Sequence, residues 1–193
     1  MITSARTLAL SLTVSTGAIL AGATPRAEAG PAPAATFRLT STSFKDGGAI
    51  PDKFALNSFG CTGGNVAPAL AWSHPPAGTK SFALMVHDPD APTGSGFWHW
   101  VIYNLPPDTT ELAEGGALPK GATLGNTDFG APGWGGPCPP VGSGDHHYRF
   151  TLFALKVDKL DLPAGATPGF VGFNVHANAI AKTTLTGIYN RKK

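Results

Sequence analysis

The sequence predicts a mainly β domain with irregular connections, on three observations. Hydrophobic residues make up 42% of the 193 residues and charged residues only 13%. That balance argues against disorder, which combines low hydrophobicity with high net charge. The 25 glycines and 18 prolines are scattered without a period, which favours loops and turns. Short runs rich in β-branched and aromatic residues lie between them, as strands do. The length fits one domain.

The N-terminal stretch is predicted to be an export signal. Arg6 supplies a positive charge, residues 8–23 form a mildly apolar run, and Ala27-Glu28-Ala29 fits a cleavage site. A membrane anchor is disfavoured because the run is short and carries Ser, Thr and Gly throughout. We therefore expect a periplasmic or secreted protein, cleaved near Ala29. The expected parts are a signal peptide (1–29), a flexible leader (30–35) and one domain (36–193).

Five apolar runs bounded by proline, glycine or aspartate are predicted strands. In chain order these are residues 36–42, 69–72, 81–87, 97–104 and 148–157. Only the segment 175–188 is predicted to be a helix, because Val175, Ala179, Ile180 and Leu185 approximate one apolar face. The stretch 105–140 is long and irregular, which is typical of functional loops.

Polar side chains lie at the ends of three predicted strands. Asp88 and Asp90 follow the third strand, His99 lies between two tryptophans, and His146 and Tyr148 follow a Gly/Pro loop. Each has an ordinary structural explanation when it is taken alone. Together they suit an anion, because imidazole, phenol and glycine-loop N–H groups are donors. A carboxylate among them would fix a histidine tautomer or pair with the ammonium of a zwitterionic ligand.

Charge and cysteine content narrow the function further. The formal net charge is only +2, which gives no electrostatic case for nucleic-acid binding. Cys61 and Cys138 are the two cysteines, and an oxidising compartment would permit a disulfide between them. Their separation in space is not visible in a sequence, so the pairing stays open at this point.

An ordered set of motifs resembles the phosphatidylethanolamine-binding protein family, and most closely its bacterial branch of Raf kinase inhibitor-like proteins. The resemblance covers about residues 37–190. It rests on DPDAP at 88–92, WHW at 98–100 and GPCPPVGSGDHHY at 136–148, with further matches in CTGGN at 61–65, PALAW at 68–72 and GFNVHAN at 172–178.

The resemblance implies a fold, a function and a site. The fold is a large central antiparallel sheet, a smaller sheet packed on it and a few peripheral helices, including one at the C-terminus. The function is non-enzymatic binding, without cofactor or metal, of phosphate-type groups that include phospholipid headgroups, in a protein that forms a homodimer. The implied ligand-binding residues are Asp88, Asp90, His99, Pro140, His146 and Tyr148, with Gly136 to Cys138 as one wall. Phe129 and Trp134 are expected over the pocket rim.

Three alternatives differ in class. An exposed loop would make the protein an inhibitor or regulator of a protease or kinase, although no reactive-loop feature is evident. A hydrolase would use Cys138 as nucleophile and His146 as base, with Asp88 orienting the histidine. A metal site would use His99, His146 and an aspartate, and it is disfavoured because no metal-ligand spacing is present.

Overall fold

Two β-sheets and one α-helix build the part of the chain that the structure, a computed structural model, describes: residues 1–2 and 35–192. All but the first two residues of the predicted signal peptide, and all but the last residue of the leader, lie outside these residues. Within them, no helix has the length and apolarity needed to cross a membrane. The elements are β1 (Arg38–Thr40), β2 (Gly48–Ala49), a 3-10 turn (Asp52–Phe54), β3 (Leu70–Ser73), β4 (Ser81–Asp88), β5 (Phe97–Leu105), β6 (Glu111–Leu112), β7 (Thr123–Leu124), β8 (His146–Leu155), α1 (Pro168–Asn178) and β9 (Ala179–Tyr189).

The strands form one large and one small sheet, as predicted. The large sheet has six strands in the order β2-β9-β8-β4-β5-β7, and the small one has three in the order β1-β3-β6. The large sheet is mixed rather than wholly antiparallel, because the short strand β2 runs parallel to β9. All the other pairs are antiparallel.

The core lies between the two sheets, with a second layer under the helix. Trp72 of the small sheet packs edge-on against Phe82 of β4 at a ring separation of 5.6 Å. On the opposite face of the large sheet, Val171 and Val175 of α1 lie in an apolar cluster that includes Met85. Strand β4 is therefore covered on both faces, which explains why its sequence is a continuous apolar run rather than an alternating one.

The predicted helix at 175–188 is wrong in position. The helix spans Pro168–Asn178, and the residues after it form the longest strand, β9. Thr167 caps the helix, since its side chain accepts a hydrogen bond from the N–H of Phe170 at 3.2 Å. The following segment is rich in isoleucine and threonine, which favour strands, and it pairs with β8 from Tyr189 opposite His146 to Ala179 opposite Leu155.

The five predicted strands are all present with shifted ends. The shifts are at most two residues, as in β8, which begins at His146 rather than at Tyr148. The irregular stretch 105–140 carries two short strands, β6 and β7, and an isolated bridge between Asn126 and Pro132. Besides α1, the described residues contain only one 3-10 turn, so the expected set of peripheral helices reduces to a single α-helix.

Candidate functional site

The predicted polar residues converge at one end of the large sheet. In antiparallel neighbours the end of one strand lies beside the start of the next. Asp88 ends β4 opposite Phe97, which begins β5, and His87 pairs with Arg149 near the start of β8. The side chains that follow or precede these pairs therefore face a common space.

That space is a pocket of about 380 Å³. Six of the eight residues predicted for the site line it: Asp88, His99, Cys138, Pro140, His146 and Tyr148. The four polar ones are at most 4% exposed, so they form the floor. No lysine or arginine of the described residues lines the pocket, while a second carboxylate, that of Asp128, does.

Asp90 and Gly136 do not line the pocket, and the prediction that they belong to it is corrected. The sequence predicts that both aspartates follow the strand, whereas β4 includes Asp88 and only Asp90 lies in the turn after it. Asp90 instead accepts hydrogen bonds from the backbone N–H and from Nδ1 of His147, both at 2.8 Å. Burial raises the pKa of Asp90, but the bonds with His147 lower it more, and the net pKa lies below its usual value.

Gly136 lies behind the pocket wall. Its N–H donates to Asn65 Oδ1 at 2.9 Å. A Cβ at this position would approach the carbonyl oxygen of Phe54 to 2.1 Å, which no side chain could tolerate. The glycine therefore permits the Gly/Pro loop to pack directly on the neighbouring backbone.

A buried Asp–His pair forms the centre of the floor. His146 Nδ1 lies 2.6 Å from Asp88 Oδ2, and the two side chains are each 3% exposed. The other carboxylate oxygen, Asp88 Oδ1, accepts from the backbone N–H of Asp90 at 2.9 Å. Both oxygens thus have a donor, as a buried carboxylate requires.

The second nitrogen of His146 contacts Ser143. Ser143 Oγ lies 3.0 Å from His146 Nε2 and 2.8 Å from the carbonyl oxygen of Pro140. A hydroxyl has one proton, so Ser143 either donates to Nε2 or donates to Pro140 and accepts from Nε2. In both arrangements each nitrogen of His146 has a partner.

His99 presents an acceptor rather than a donor. Its Nδ1 lies 2.7 Å from the carbonyl oxygen of Gly135, so Nδ1 must carry the proton and Nε2 keeps its lone pair in the neutral ring. Burial lowers the pKa of His99 to about 4, although the bond to Gly135 and the charge of Asp88 oppose the shift. The imidazole is therefore neutral at pH 7.

The hydroxyl of Tyr148 has no partner among the described residues, although its side chain is fully buried. Burial raises the pKa of Tyr148, and the nearby Asp88 carboxylate adds to the effect by its charge and by a weak contact that falls short of hydrogen-bond geometry, so the phenol stays protonated. The ring packs edge-on against His99 at 4.9 Å. An unpaired buried hydroxyl costs about 1–3 kcal/mol, so a ligand acceptor that bonded to this hydroxyl would remove that cost.

Cys138 forms a disulfide with Cys61, which settles the pairing that the sequence left open. A disulfide sulfur carries no thiolate, so Cys138 cannot be a nucleophile and the hydrolase alternative loses its central residue. Cys138 instead contributes an apolar part of the wall.

Sequence reasoning missed most of the apolar lining. It anticipated Phe129, which lies in the pocket, but it also placed Trp134 there. Trp134 instead stacks on Phe150 at 5.8 Å and donates from Nε1 to the carbonyl oxygen of Phe54. Three further lining residues, Ala91, Pro92 and Pro139, lie in the quoted motifs but were not singled out, and no motif marked the others, which are Leu56, Phe59, Thr93, Phe97 and Asp128.

The structure offers no cluster for a metal. Among residues 1–2 and 35–192, no three His, Cys, Asp or Glu side chains are grouped so that they could hold an ion. The contacts of His99 and His146 are with carbonyl, carboxylate and hydroxyl oxygens instead.

Comparisons with known proteins all identify relatives of one family. The family model "Phosphatidylethanolamine-binding protein" matches residues 40–190. The UPF0098 protein YbcL of Escherichia coli is 45% identical over 167 residues, which are 83% of this chain and 91% of YbcL. The crystal structure of E. coli YbcL, described as a member of the mammalian PEBP family, superposes with a TM-score of 0.78 at 44% identity, over 81% of this chain and 99% of that one.

Two further proteins extend the likeness. A PEBP homologue from Chlamydia trachomatis, CT736, superposes with a TM-score of 0.70 at 34% identity, over 80% of this chain and 97% of that structure. The "Putative lipoprotein LppC" of Mycobacterium tuberculosis is 46% identical over 138 residues, which are 71% of this chain and 64% of LppC.

Removing the buried carboxylate should destabilise the fold far more than removing the exposed one. We expect Asp88→Ala to lower the free energy of unfolding by about 3 kcal/mol, because it leaves a buried imidazole unpaired. Asp90→Ala, which removes a similar pair whose aspartate is 41% exposed, should cost less than about 1 kcal/mol. Urea denaturation at pH 7 measures both, and equal losses would contradict the assigned burial.

Stability should fall as the pH drops from 6.5 to 4, because in that range the unfolded state binds a proton at His99 that the folded state excludes. A pKa lowered to about 4 corresponds to about 3 kcal/mol of unfolding free energy, which is fully present above pH 6.5 and is lost as the pH falls to about 4. His99→Asn retains a donor for Gly135 and removes the titration, so its unfolding free energy should change less with pH. Denaturation curves across this range measure the difference, and identical slopes would refute the prediction.

Proposed function

The chain belongs to the phosphatidylethanolamine-binding protein family, and from that membership we propose that it is a binding protein whose pocket takes a small phosphate-type headgroup. The headgroup is anionic or zwitterionic, as in inorganic phosphate or phosphoethanolamine. The observation that carries the proposal is the buried hydroxyl of Tyr148, which lines the pocket and has no partner among the described residues. A phosphate oxygen is an acceptor for that donor.

The charges around the pocket support a head of mixed charge. In the Asp88–His146 pair both carboxylate oxygens and both imidazole nitrogens already have partners, so the pair orders the floor rather than supplying charge to a ligand. His99 Nε2 and the Asp128 carboxylate are acceptors, and Asp128 already accepts from the N–H of Trp98 through Oδ2 at 2.8 Å. An ammonium group or a protonated phosphate oxygen would satisfy them.

The proposed role is binding rather than catalysis. Cys138 is held in a disulfide, and both nitrogens of His146 are occupied by Asp88 and Ser143. A nucleophile and a free base are the parts that a hydrolase would need. The homodimer and the lipid-headgroup contact that the family implies stay predictions.

We also propose that the protein is exported. The predicted signal peptide motivates this, and a disulfide is expected in an oxidising compartment. The relative LppC, which is named as a lipoprotein, points the same way.

Expression of the full chain in a bacterial host tests the export proposal. The intact mass of protein recovered from the periplasm or medium should correspond to a chain that begins near Gly30, with no titratable thiol. An uncleaved chain that stays in the cytoplasm would contradict export.

Phosphate and phosphoethanolamine at millimolar concentration should raise the melting temperature, since a ligand that binds only the folded state stabilises by RT ln(1 + [L]/Kd). Tyr148→Phe should weaken this binding about tenfold, because one hydrogen bond is lost. The unliganded variant should be at least as stable as the wild type, because it removes a buried hydroxyl that has no partner and is costly to bury.

Tyr103→Phe, at another buried tyrosine that lies outside the pocket, is the matched control and should leave binding unchanged. A wild-type protein whose melting temperature does not respond to either ligand would overturn the proposal.

A further inference from the structure

Phe59 lies at the mouth of the pocket and is the most exposed large hydrophobic residue of the domain. It is 80% exposed, whereas Tyr148 on the floor is fully buried. The pocket thus changes from polar at its floor to apolar at its mouth. The apolar lining comprises Leu56, Phe59, Ala91, Pro92, Phe97, Phe129 and Pro139, besides Cys138 and Pro140.

The backbone of Phe59 adopts a conformation that phenylalanine disfavours. Its φ is 52°, in the left-handed region, and Gly60 follows with a φ of 76°. A bulky residue in that region costs on the order of 1–2 kcal/mol. Exposure of an aromatic ring to water adds to the cost. Both terms oppose this placement of the ring, so neighbouring contacts must hold it.

Two kinds of contact hold the Phe59 turn against the Gly/Pro loop, and a third stabilises the turn itself. The disulfide joins Cys61, two residues after Phe59, to Cys138. The guanidinium of Arg191 donates to the carbonyl oxygens of Gly60 at 2.6 Å and of Pro139 at 3.4 Å, and so bridges the two segments. The N–H of Cys61 donates to the carbonyl oxygen of Ser58 at 2.9 Å and closes the turn itself.

The opposite side of the mouth is also aromatic. The ring of Phe129 lies 6.4 Å from that of Phe59 and 4.8 Å from that of Phe97. The pocket volume of about 380 Å³ falls within the range of about 300–1,000 Å³ that accommodates whole small molecules. A phosphate group on the floor would leave the apolar mouth unfilled.

We propose that Phe59 is a specificity residue that binds, together with Phe129, the apolar substituent of a phosphate ester whose head lies on the floor beside Tyr148. This assignment rests on the proposed function and deepens it. It names the ligand class as phosphate monoesters of apolar alcohols, which the pocket prefers over bare phosphate or its smallest ester. Phe59 is assigned to the substituent because its ring lies 6.4 Å from that of Phe129, at the apolar mouth.

A pair of esters of equal charge isolates this contact. We expect the wild-type protein to bind n-butyl phosphate about tenfold more tightly than methyl phosphate, because the longer chain buries additional CH₂ groups at the mouth. Phe59→Ala should reduce that preference to less than about threefold and leave the affinity for methyl phosphate nearly unchanged. Isothermal titration at pH 7 with the mature, disulfide-bonded protein measures all four affinities.

Two further variants serve as controls for exposure and for backbone strain. Phe173→Ala removes a phenylalanine that is 71% exposed on α1, outside the pocket, and should keep the tenfold preference. Phe59→Gly suits the left-handed backbone, so it should lose the preference without lowering the melting temperature.

The possible results distinguish the Phe59 assignment from the proposed function. A preference that survives in Phe59→Ala, or equal wild-type affinity for the two esters, would overturn the Phe59 assignment and leave the proposed function intact. Failure of both esters to bind the wild-type protein would overturn the proposed function, and the assignment with it.

Discussion

The end of the large sheet is organised around one buried hydrogen-bonded pair, that of Asp88 and His146. A carboxylate that leaves water costs several kcal/mol unless it is paired and fully hydrogen-bonded, so its partners cannot be displaced without penalty. Its partners here come from the turn after β4 and from the start of β8. The pair therefore fixes where these segments meet. Through Ser143 the same imidazole also reaches the carbonyl of Pro140, so the pair anchors the Gly/Pro loop that forms the wall.

Because both oxygens of Asp88 and both nitrogens of His146 already have partners, the floor offers a ligand hydrogen bonds more than net charge. The Tyr148 hydroxyl has no partner among the described residues, and the bond from His99 to Gly135 leaves Nε2 as an acceptor. A donor beside an acceptor suits a group that carries both functions. In the proposed complex the apolar mouth would supply most of the contact area, which is the usual division between orientation and affinity in small-molecule sites.

The sequence predicted the strands better than the helix, for identifiable reasons. Strands β4 and β5 are apolar runs bounded by Asp-Pro and Pro-Pro pairs, so both their type and their ends are marked. The segment after α1 carries isoleucine and alanine at spacings that also fit a helical face, and only pairing with β8 resolves it as a strand. The polar floor was predictable because its side chains lie at or near strand ends, which the sequence marks. Asp90 departs from the prediction because it lies in the turn after β4, where its carboxylate bonds to His147. Leu56 and Phe59 carry no local signal, since a disulfide across 77 residues brings their segment to the pocket.

Gly136 shows how the wall acquires its shape without touching the ligand space. Any side chain there would collide with the backbone at Phe54 and push the two segments apart. With glycine, the N–H of Leu56 reaches the carbonyl oxygen of Pro137 at 3.1 Å, and the disulfide follows one residue later. Proline fixes φ on either side of Cys138, so little conformational freedom remains in the wall. A wall that is ordered before a ligand binds lowers the entropic cost of binding, and this preorganisation is consistent with the proposed binding role.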